Sequence, residues 1–208
     1  MHARRPGEEG MRAFIGIGLP PECRRAITDA VSPFRSRRLP VAWTPEPNLH
    51  VTLKFLGEIP QERVEEIASR LQDAGQGIPP FDLLVEGAGG FPSLRSPRVL
   101  WIGIREPLEL VGELHENMEN ALSGAGFPRE ERPFHPHITV GRARGRIPPA
   151  WGEEYSRVLS GQRFGTVGVS SFQLYESRLS PRGAAYAVLR DIPLPREPER
   201  TEREEKGK

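Results

Sequence analysis

Two tetrapeptides constrain the fold of this chain more than any other feature: His50-Val51-Thr52-Leu53 and His137-Ile138-Thr139-Val140. In each of them polar and aliphatic residues alternate, which is typical of a strand with one buried face. Residues two apart on a strand point to the same side. We therefore predict two strands, each of which presents a histidine beside a threonine and turns its aliphatic residues into a core.

The two motifs together offer the groups that phosphate-ester chemistry needs. One imidazole can act as a general acid and the other as a general base, and the two hydroxyls can donate hydrogen bonds to phosphate oxygens. A single His-x-Thr is a weak motif, since a lone strand histidine is more often exposed or hydrogen-bonded than catalytic. Two matches with aliphatic spacers favour strands that face one cleft.

Composition narrows the class of protein. The 208 residues could form one domain or two small ones, and no apolar run is long enough to cross a bilayer. The single cysteine, Cys23, excludes an internal disulfide framework and suits a reducing compartment, so we expect a cytoplasmic protein without membrane contact. The formal net charge is +1, so a nucleic acid would have to bind a local basic patch.

The chain divides into a central domain and two ends. Residues 1–10 lack the apolar stretch of a secretory signal, and we expect them to be a flexible extension. Residues 11–194 are expected to form a single bilobal domain. Residues 195–208 are rich in Pro, Glu, Arg and Lys, which predicts a disordered charged tail.

Patterns of apolar residues predict the elements of the central domain. Alternation predicts strands over about residues 14–19, 49–56, 81–86, 98–105, 134–143, 168–177 and 184–191. Helical spacing predicts helices over about residues 22–34, 60–71, 107–122 and 151–159. The segment Gly87–Gly90 predicts a turn or bulge, because the Gly-Lys-Ser/Thr of a phosphate-binding loop does not follow it.

The order of these elements indicates a weak internal duplication. Each half combines strands and helices around one His-x-Thr strand. A pseudo-two-fold pair of antiparallel sheets would bring the two motifs face to face. We therefore predict an α+β fold with two pseudo-symmetric lobes of antiparallel β-sheet and flanking helices around a central cleft.

The residues around both motifs resemble those of the two-histidine phosphoesterase superfamily. The run Asn48–Glu58 is similar to the first motif of its bacterial and archaeal RNA 2′,3′-cyclic phosphodiesterases, the LigT-like family, also called 2′-5′ RNA ligases. The run Arg132–Arg142 is similar to the second motif, and the opening run Arg12–Ile17 also fits. The resemblance extends over residues 11–194, with no departure at a motif position.

This resemblance implies a fold, an activity and a set of roles. The family has two sheet lobes around a cleft, hydrolyses RNA 2′,3′-cyclic phosphate ends to 2′-phosphates without a metal or another cofactor, and can join RNA halves reversibly through a 2′-5′ linkage. By resemblance, His50 is the proton donor and His137 the proton acceptor, while Thr52 and Thr139 bind the phosphate. The residues alone leave open which histidine is acid and which is base.

Three polar neighbours are further candidates for substrate binding. Arg142 joins the Thr139 face only if a bulge at Gly141 shifts the register. Without a bulge it points with Val140 to the other face, and the alternative to a binding role is a surface arginine. Lys54 shares the face of Thr52 and could help to hold phosphate. His135 shares the face of the second motif histidine, where it either touches substrate or is a bystander.

Three aromatic residues flank the motifs: Phe55, Trp43 and Phe134. Single-stranded RNA ends are commonly recognised by stacking a base on such rings, so each is a candidate base-stacking residue. The alternative for each is packing in the core.

Other functions stay open at this point. A metalloenzyme could use His135 and His137, but such a site needs a third or fourth ligand, and no Asp or Glu lies in this strand. An RNA-binding module without catalysis would have no need of two His-x-Thr pairs. A phosphodiesterase could also act on small cyclic nucleotides. We expect a monomer whose partner is RNA with 2′,3′-cyclic phosphate ends.

Overall fold

Strands dominate the structure, a computed structural model that describes residues 10–180 and 183–195. The strands in these ranges are β1 (Met11–Gly18), β2 (Val41–Trp43), β3 (His50–Ile59), β4 (Phe81–Phe91), β5 (Val99–Glu106), β6 (His137–Ala143), β7 (Arg163–Val169), β8 (Ser171–Ser180) and β9 (Gly183–Pro193). The α-helices are α1 (Pro21–Arg35), α2 (Val64–Gly75), α3 (Leu108–Ser123) and α4 (Pro149–Leu159). Single 3₁₀ turns lie at Glu46–Asn48 and Gln61–Arg63.

The strands form one antiparallel sheet with the two motif strands at its centre. The strand order is β7-β4-β5-β6-β3-β1-β8-β9, and β2 pairs with β6 beside this path. Within the described residues, the ladder between β3 and β6 contains one register pair, Val51 with Ile138. The sheet is therefore two lobes joined at the motifs, one of four strands and one of four strands with β2 beside β6, and the predicted α+β fold with antiparallel lobes is confirmed.

The helices cover the lobes in pairs that come from different halves of the chain. α2 packs on α3 and β9, whereas α1 and α4 pack on β7 and β4. Phe34 of α1 and Trp151 of α4 meet edge to face with ring centroids 5.5 Å apart. The buried residues of α1 include Cys23, Ile27 and Val31, whose spacing of four places them on one side of the helix.

Two strand boundaries differ from the sequence prediction. The predicted strand over residues 168–177 is two strands, because the chain turns at Ser170 between β7 and β8, which lie in different lobes. Glycine and exposed polar residues in β7 leave it with little apolar signal. The strand predicted over residues 134–143 begins at His137, since Pro133 and Pro136 have no N–H to donate to a ladder.

The glycine segment of the first half lies inside a strand. β4 runs through Gly87–Gly90, and its register with β5 shifts between Val85 and Ala88, which is a bulge. Gly89 lies flat against Trp101, where a Cβ atom would fall 2.2 Å from the indole ring. Glycine at this position therefore makes room for the Trp101 indole ring.

The domain boundaries predicted at the two ends are not tested. Residues 1–9 and 196–208, which make up nearly all of the predicted extension and tail, lie outside the described residues, so these predictions stay predictions. None of the helices in the described ranges is long and apolar enough to span a membrane.

A buried leucine and an exposed leucine test the position of the core. Leu71 of α2 is fully buried, and Leu179 of β8 is 64% exposed. We expect Leu71→Ala to lower the free energy of unfolding by about 3 kcal/mol, because it leaves a cavity. Leu179→Ala should change it by less than about 0.5 kcal/mol. Urea denaturation of both variants measures the difference, and similar losses would contradict this packing.

Candidate active site

The junction between β3 and β6 arranges the four motif side chains. Val51 and Ile138 pair across β3 and β6 and are both fully buried. Extending this antiparallel register by one residue each way places His50 opposite Thr139 and Thr52 opposite His137. Opposite residues on one face of a sheet lie about 5 Å apart. Each histidine thus stands beside the threonine of its own strand and across from that of the other strand.

A bulge follows the threonine in β3. Thr52 and Lys54 pair with consecutive residues of β1, so Leu53 is an extra residue in this ladder. A bulge reverses the alternation of side chains beyond it. Leu53 and Lys54 are accordingly both buried, and Phe55 becomes 67% exposed and lines the cleft.

The same bulge occurs at the same point in β6. Thr139 and Gly141 pair with consecutive residues of β5, so Val140 is the extra residue. The reversed alternation brings Arg142 into the cleft with Thr139. The sequence made a binding position for Arg142 depend on a bulge at Gly141; the bulge lies one residue earlier, at Val140, and has the same effect on Arg142. The structural equivalent of Arg142 on β3 is Phe55.

These side chains line a cleft of about 590 Å³, a size that suits a nucleotide. The cleft lining includes His137 and every predicted substrate-binding residue except Trp43, although the ammonium of Lys54 is turned to Glu119. His50 does not itself line the cleft but contacts Thr52, which does; Thr52 Oγ1 lies 2.9 Å from His50 Nε2.

The tautomer of His50 is set by a backbone carbonyl. Its Nδ1 lies 2.7 Å from the carbonyl oxygen of Asn48. A carbonyl oxygen can only accept, so Nδ1 carries a hydrogen in every protonation state that keeps this bond. Nε2 is then the atom that gains or loses a proton, and in the neutral ring it accepts a hydrogen bond from Thr52.

His137 repeats this arrangement. Its Nδ1 lies 2.7 Å from the carbonyl oxygen of His135, two residues earlier, just as Asn48 precedes His50. The same reasoning assigns the hydrogen to Nδ1 and leaves Nε2 for proton exchange. Both motifs therefore present the same nitrogen for chemistry.

Burial lowers the pKa of both imidazoles below the ordinary value. Aromatic rings crowd them: Phe14 and Tyr186 lie 4.7 and 5.3 Å from His50, and Phe91 lies 5.2 Å from His137, between ring centroids. Desolvation is the main cause of each lowered pKa, and the hydrogen bond to a carbonyl partly opposes it. The positive charge of Arg142 lowers both pKa values further.

A glycine on β1 makes room for the first imidazole. A Cβ atom at Gly16 would lie 2.7 Å from the carbonyl oxygen of Val51 and 3.2 Å from Cδ2 of His50. Any larger residue would push β1 away from the motif strand or displace the ring. The chain approach that buries His50 therefore depends on glycine at this position.

Lys54 and Trp43 are placed differently from the sequence prediction. The Lys54 ammonium binds the Glu119 carboxylate at 2.7 Å, because the bulge at Leu53 turns this side chain toward α3. Trp43 packs 6.4 Å from Trp151, between ring centroids, on the core side of β6. We therefore propose no substrate contact for either side chain.

The other flanking residues lie in the cleft wall. Phe134 stacks on His115 of α3 with ring centroids 4.0 Å apart and planes 7° apart. His135 lies before β6 and not on it, with its ring centroid 6.3 Å from that of His137. Phe55 is exposed at the cleft and therefore free to stack on a base.

Several residues of the site were missed by sequence reasoning. Phe91 lines the cleft, Tyr186 packs on His50, and His115 supports Phe134. These residues lie far from the contacting motif residues in the sequence, so short-range sequence patterns do not indicate the contacts. The repeat of Phe-Ile-Gly-Ile at Phe14–Ile17 as Trp-Ile-Gly-Ile at Trp101–Ile104 could have pointed to the aromatic surroundings.

Potential metal ligands do not gather here. Within the described ranges, no group of three or more His, Cys, Asp or Glu side chains comes together as a metal site. Cys23 is buried in α1, and burial raises the pKa of its thiol to about 11.

Comparison with known proteins gives matches over most of the chain. The model of the family described as LigT like Phosphoesterase matches twice, over residues 17–101 and 102–186, so that each half contains one motif. An RNA 2′,3′-cyclic phosphodiesterase of Thermotoga maritima is 35% identical over 86% of this chain and 93% of its own length. One of Archaeoglobus fulgidus is 35% identical over 86% of this chain and 98% of its own length.

Solved structures agree with these matches. A crystal structure of a Thermus thermophilus protein has a TM-score of 0.72 and 31% identity, and the match covers 90% of this chain and all of that one. Escherichia coli LigT in complex with 3′-AMP has a TM-score of 0.68 and 30% identity, over 89% of this chain and 99% of that one. The chain belongs to the LigT-like phosphoesterase family.

Proposed function

We propose that this protein hydrolyses RNA 2′,3′-cyclic phosphate termini to 2′-phosphates by paired histidine acid–base catalysis. The observation that carries the proposal is the pair of imidazoles, each with Nδ1 on a backbone carbonyl and Nε2 left for proton transfer. Relatives named RNA 2′,3′-cyclic phosphodiesterase, similar over most of both chains, support the substrate class.

The proposed reaction is a displacement at the cyclic phosphorus. The phosphate lies between β3 and β6, where the hydroxyls of Thr52 and Thr139 and the guanidinium of Arg142 stabilise the charge on its non-bridging oxygens. His137 removes a proton from the attacking water, the P–O3′ bond breaks, and His50 gives its Nε2 proton to O3′. The product is a 2′-phosphate with a free 3′-hydroxyl.

The bond between Thr52 and His50 fits an acid role for His50. In the neutral ring the Thr52 hydroxyl donates to Nε2. When His50 is protonated, Nε2–H donates instead, and the hydroxyl hydrogen is released toward the phosphate. Protonated His50 and a phosphate-binding Thr52 therefore support each other.

Two further properties belong to the proposal. With a 5′-hydroxyl of a second RNA in place of water, the same displacement would form a 2′-5′ linkage, and its reversal would cleave that linkage. We also propose that the protein acts as a cytoplasmic monomer; its single cysteine, buried in α1, suits a reducing compartment.

Substitution of either histidine tests the proposed roles. We expect His50→Ala and His137→Ala each to lower kcat by about 10²- to 10⁴-fold, because each removes one proton-transfer group. The assay is the opening of an oligoribonucleotide with a 2′,3′-cyclic phosphate end, with product analysis that separates 2′- from 3′-phosphate.

The exposed variant Leu179→Ala is the matched control and should keep the activity of the wild type. Thermal unfolding shows whether the histidine variants are folded. A 3′-phosphate product, or full activity in folded His50→Ala, would contradict the proposal. A protein that binds RNA ends but leaves them intact would be a binding module.

The pH dependence follows from the lowered pKa values. Activity needs one imidazole protonated and the other neutral, so the rate should be bell-shaped in pH. Because burial and Arg142 lower both pKa values, the profile of kcat/KM, which reports the free enzyme, should be centred below about pH 6.5. The bound phosphate anion favours the imidazolium, so the kcat profile should shift to higher pH.

Steady-state kinetics between pH 5 and 9 measure both profiles. A rate that rises steadily over this interval would exclude an acid–base pair, because the lowered pKa values place the descending limb of the bell within it.

The exposed ring of Phe55 tests whether a base binds at the cleft. Stacking one base on an aromatic ring contributes about 1–3 kcal/mol, so Phe55→Ala should raise KM by about tenfold with little change in kcat. Phe55→Trp keeps a stacking surface and serves as the control. An unchanged KM in Phe55→Ala would remove this ring from the binding site. Equal KM values for RNA ends and cyclic mononucleotides would favour a small-nucleotide substrate.

A further inference from the structure

We propose that the buried ion pair between Lys54 and Glu119 is a positioning device that sets the spacing of the two motifs across the cleft. The inference rests on the proposed function for its catalytic consequence. Neither residue touches the reacting atoms of the proposed displacement. Lys54 acts through Glu119 and the loop that leads into β6.

The sheet itself does little to fix this spacing. Within the described residues, β3 and β6 share one register pair, Val51 with Ile138. With Leu53 as the extra residue, the continued register would place Lys54 opposite Pro136, but Pro136 lies in the loop before β6. Toward the other end of β6, β2 is the partner. Beyond the junction, ladder hydrogen bonds therefore do not hold β3 to the second motif.

Where the ladder between β3 and β6 ends, hydrogen bonds of two side chains connect β3 to the loop before β6. Lys54 Nζ lies 2.7 Å from Glu119 Oε1 and donates to the carbonyl oxygen of Pro128 at 2.9 Å. The backbone N–H of Glu130 donates to Glu119 Oε2 at 3.2 Å. One motif strand, one helix and the loop of residues 124–136 are thus tied together at a single ion pair.

Burial makes this tie specific. Lys54 is 7% exposed and Glu119 is 2% exposed, so both charges have left water. A buried pair gains little net stability over apolar residues, but its geometry is demanding because each charge needs its partner at hydrogen-bond distance. Each oxygen of the Glu119 carboxylate accepts a hydrogen bond, and the Lys54 ammonium has two acceptors. The pair is therefore better suited to fixing positions than to adding stability.

The tied loop bears directly on the second motif. It includes His135, whose carbonyl oxygen accepts the hydrogen bond from Nδ1 of His137. It also carries Phe134, which stacks on His115, and His115 Nε2 lies 3.6 Å from Glu119 Oε1. Loss of the tie would let the loop shift against β3 and misplace His137 relative to Thr52.

The test uses three variants: Lys54→Met, Glu119→Gln and the double variant. We expect each to lower kcat by about 10- to 100-fold, with KM changed by less than about threefold, because a displacement of about 1 Å is enough for such a loss. The three losses should be equal, since the residues act through one contact. The double variant leaves no unpaired buried charge, so its unfolding temperature should exceed that of either single variant while kcat stays low.

The exposed pair of Arg129 provides a matched control. Arg129 ties the same loop to the same helix through Glu116, at 2.6 Å, but outside the buried tie. We expect Arg129→Ala to keep kcat within about twofold of the wild type.

Specific outcomes would overturn the inference. If Lys54→Met alone raised KM and Glu119→Gln had no effect, Lys54 would be a phosphate contact. If the double variant kept the wild-type kcat, the pair would be only structural. A wild type without activity on cyclic-phosphate RNA would contradict the proposed function instead. In that case crystal structures of the wild type and double variant decide, because an unchanged separation of the Thr52 and Thr139 hydroxyls would overturn the inference.

Discussion

The structure depends on the contact at which its two lobes meet. β3 and β6 pair through Val51 and Ile138, one aliphatic residue from each motif. Because the strands are antiparallel, the flanking histidines and threonines of the two motifs surround a common point on the opposite face. The bulges that follow then bring Phe55 and Arg142 to the same cleft from its two ends. A longer ladder between β3 and β6 would fill this space with backbone, so the short ladder is what leaves room for the site.

The chemistry of the site follows from what surrounds each imidazole. A carbonyl oxygen two residues before each ring fixes the hydrogen on Nδ1, through Asn48 for His50 and through His135 for His137. Aromatic neighbours exclude water and disfavour the charged form, so the pKa of each ring falls. Under the proposed function, the two imidazoles divide the roles of acid and base once an anionic phosphate binds between them. This division of roles does not require the pKa values of the two imidazoles to differ strongly before substrate binds.

The sequence predicted the features that depend on short-range periodicity. Alternation placed the motif strands and their buried faces, and the recurrence of His-x-Thr in each half predicted two lobes that meet at the motifs. The position of Lys54 could not be predicted, because an extra residue at Leu53 reverses the alternation and strand patterns do not reveal bulges. The environment of the imidazoles was also hidden, since Phe91 and Tyr186 come from strands far away in the chain. Which residues pack around a motif depends on topology, and a single sequence carries that information only through its internal repeat.

Nitrogen-15 NMR of the histidine side chains, followed as a function of pH, tests the central claim most directly. The claim is that both motif imidazoles keep a hydrogen on Nδ1 and exchange protons at Nε2. The neutral rings of His50 and His137 should show the Nδ1–H tautomer, and both should titrate at Nε2 with pKa values below that of an ordinary imidazole. A neutral Nε2–H tautomer in either ring, or a pKa above the ordinary value in the free protein, would contradict it.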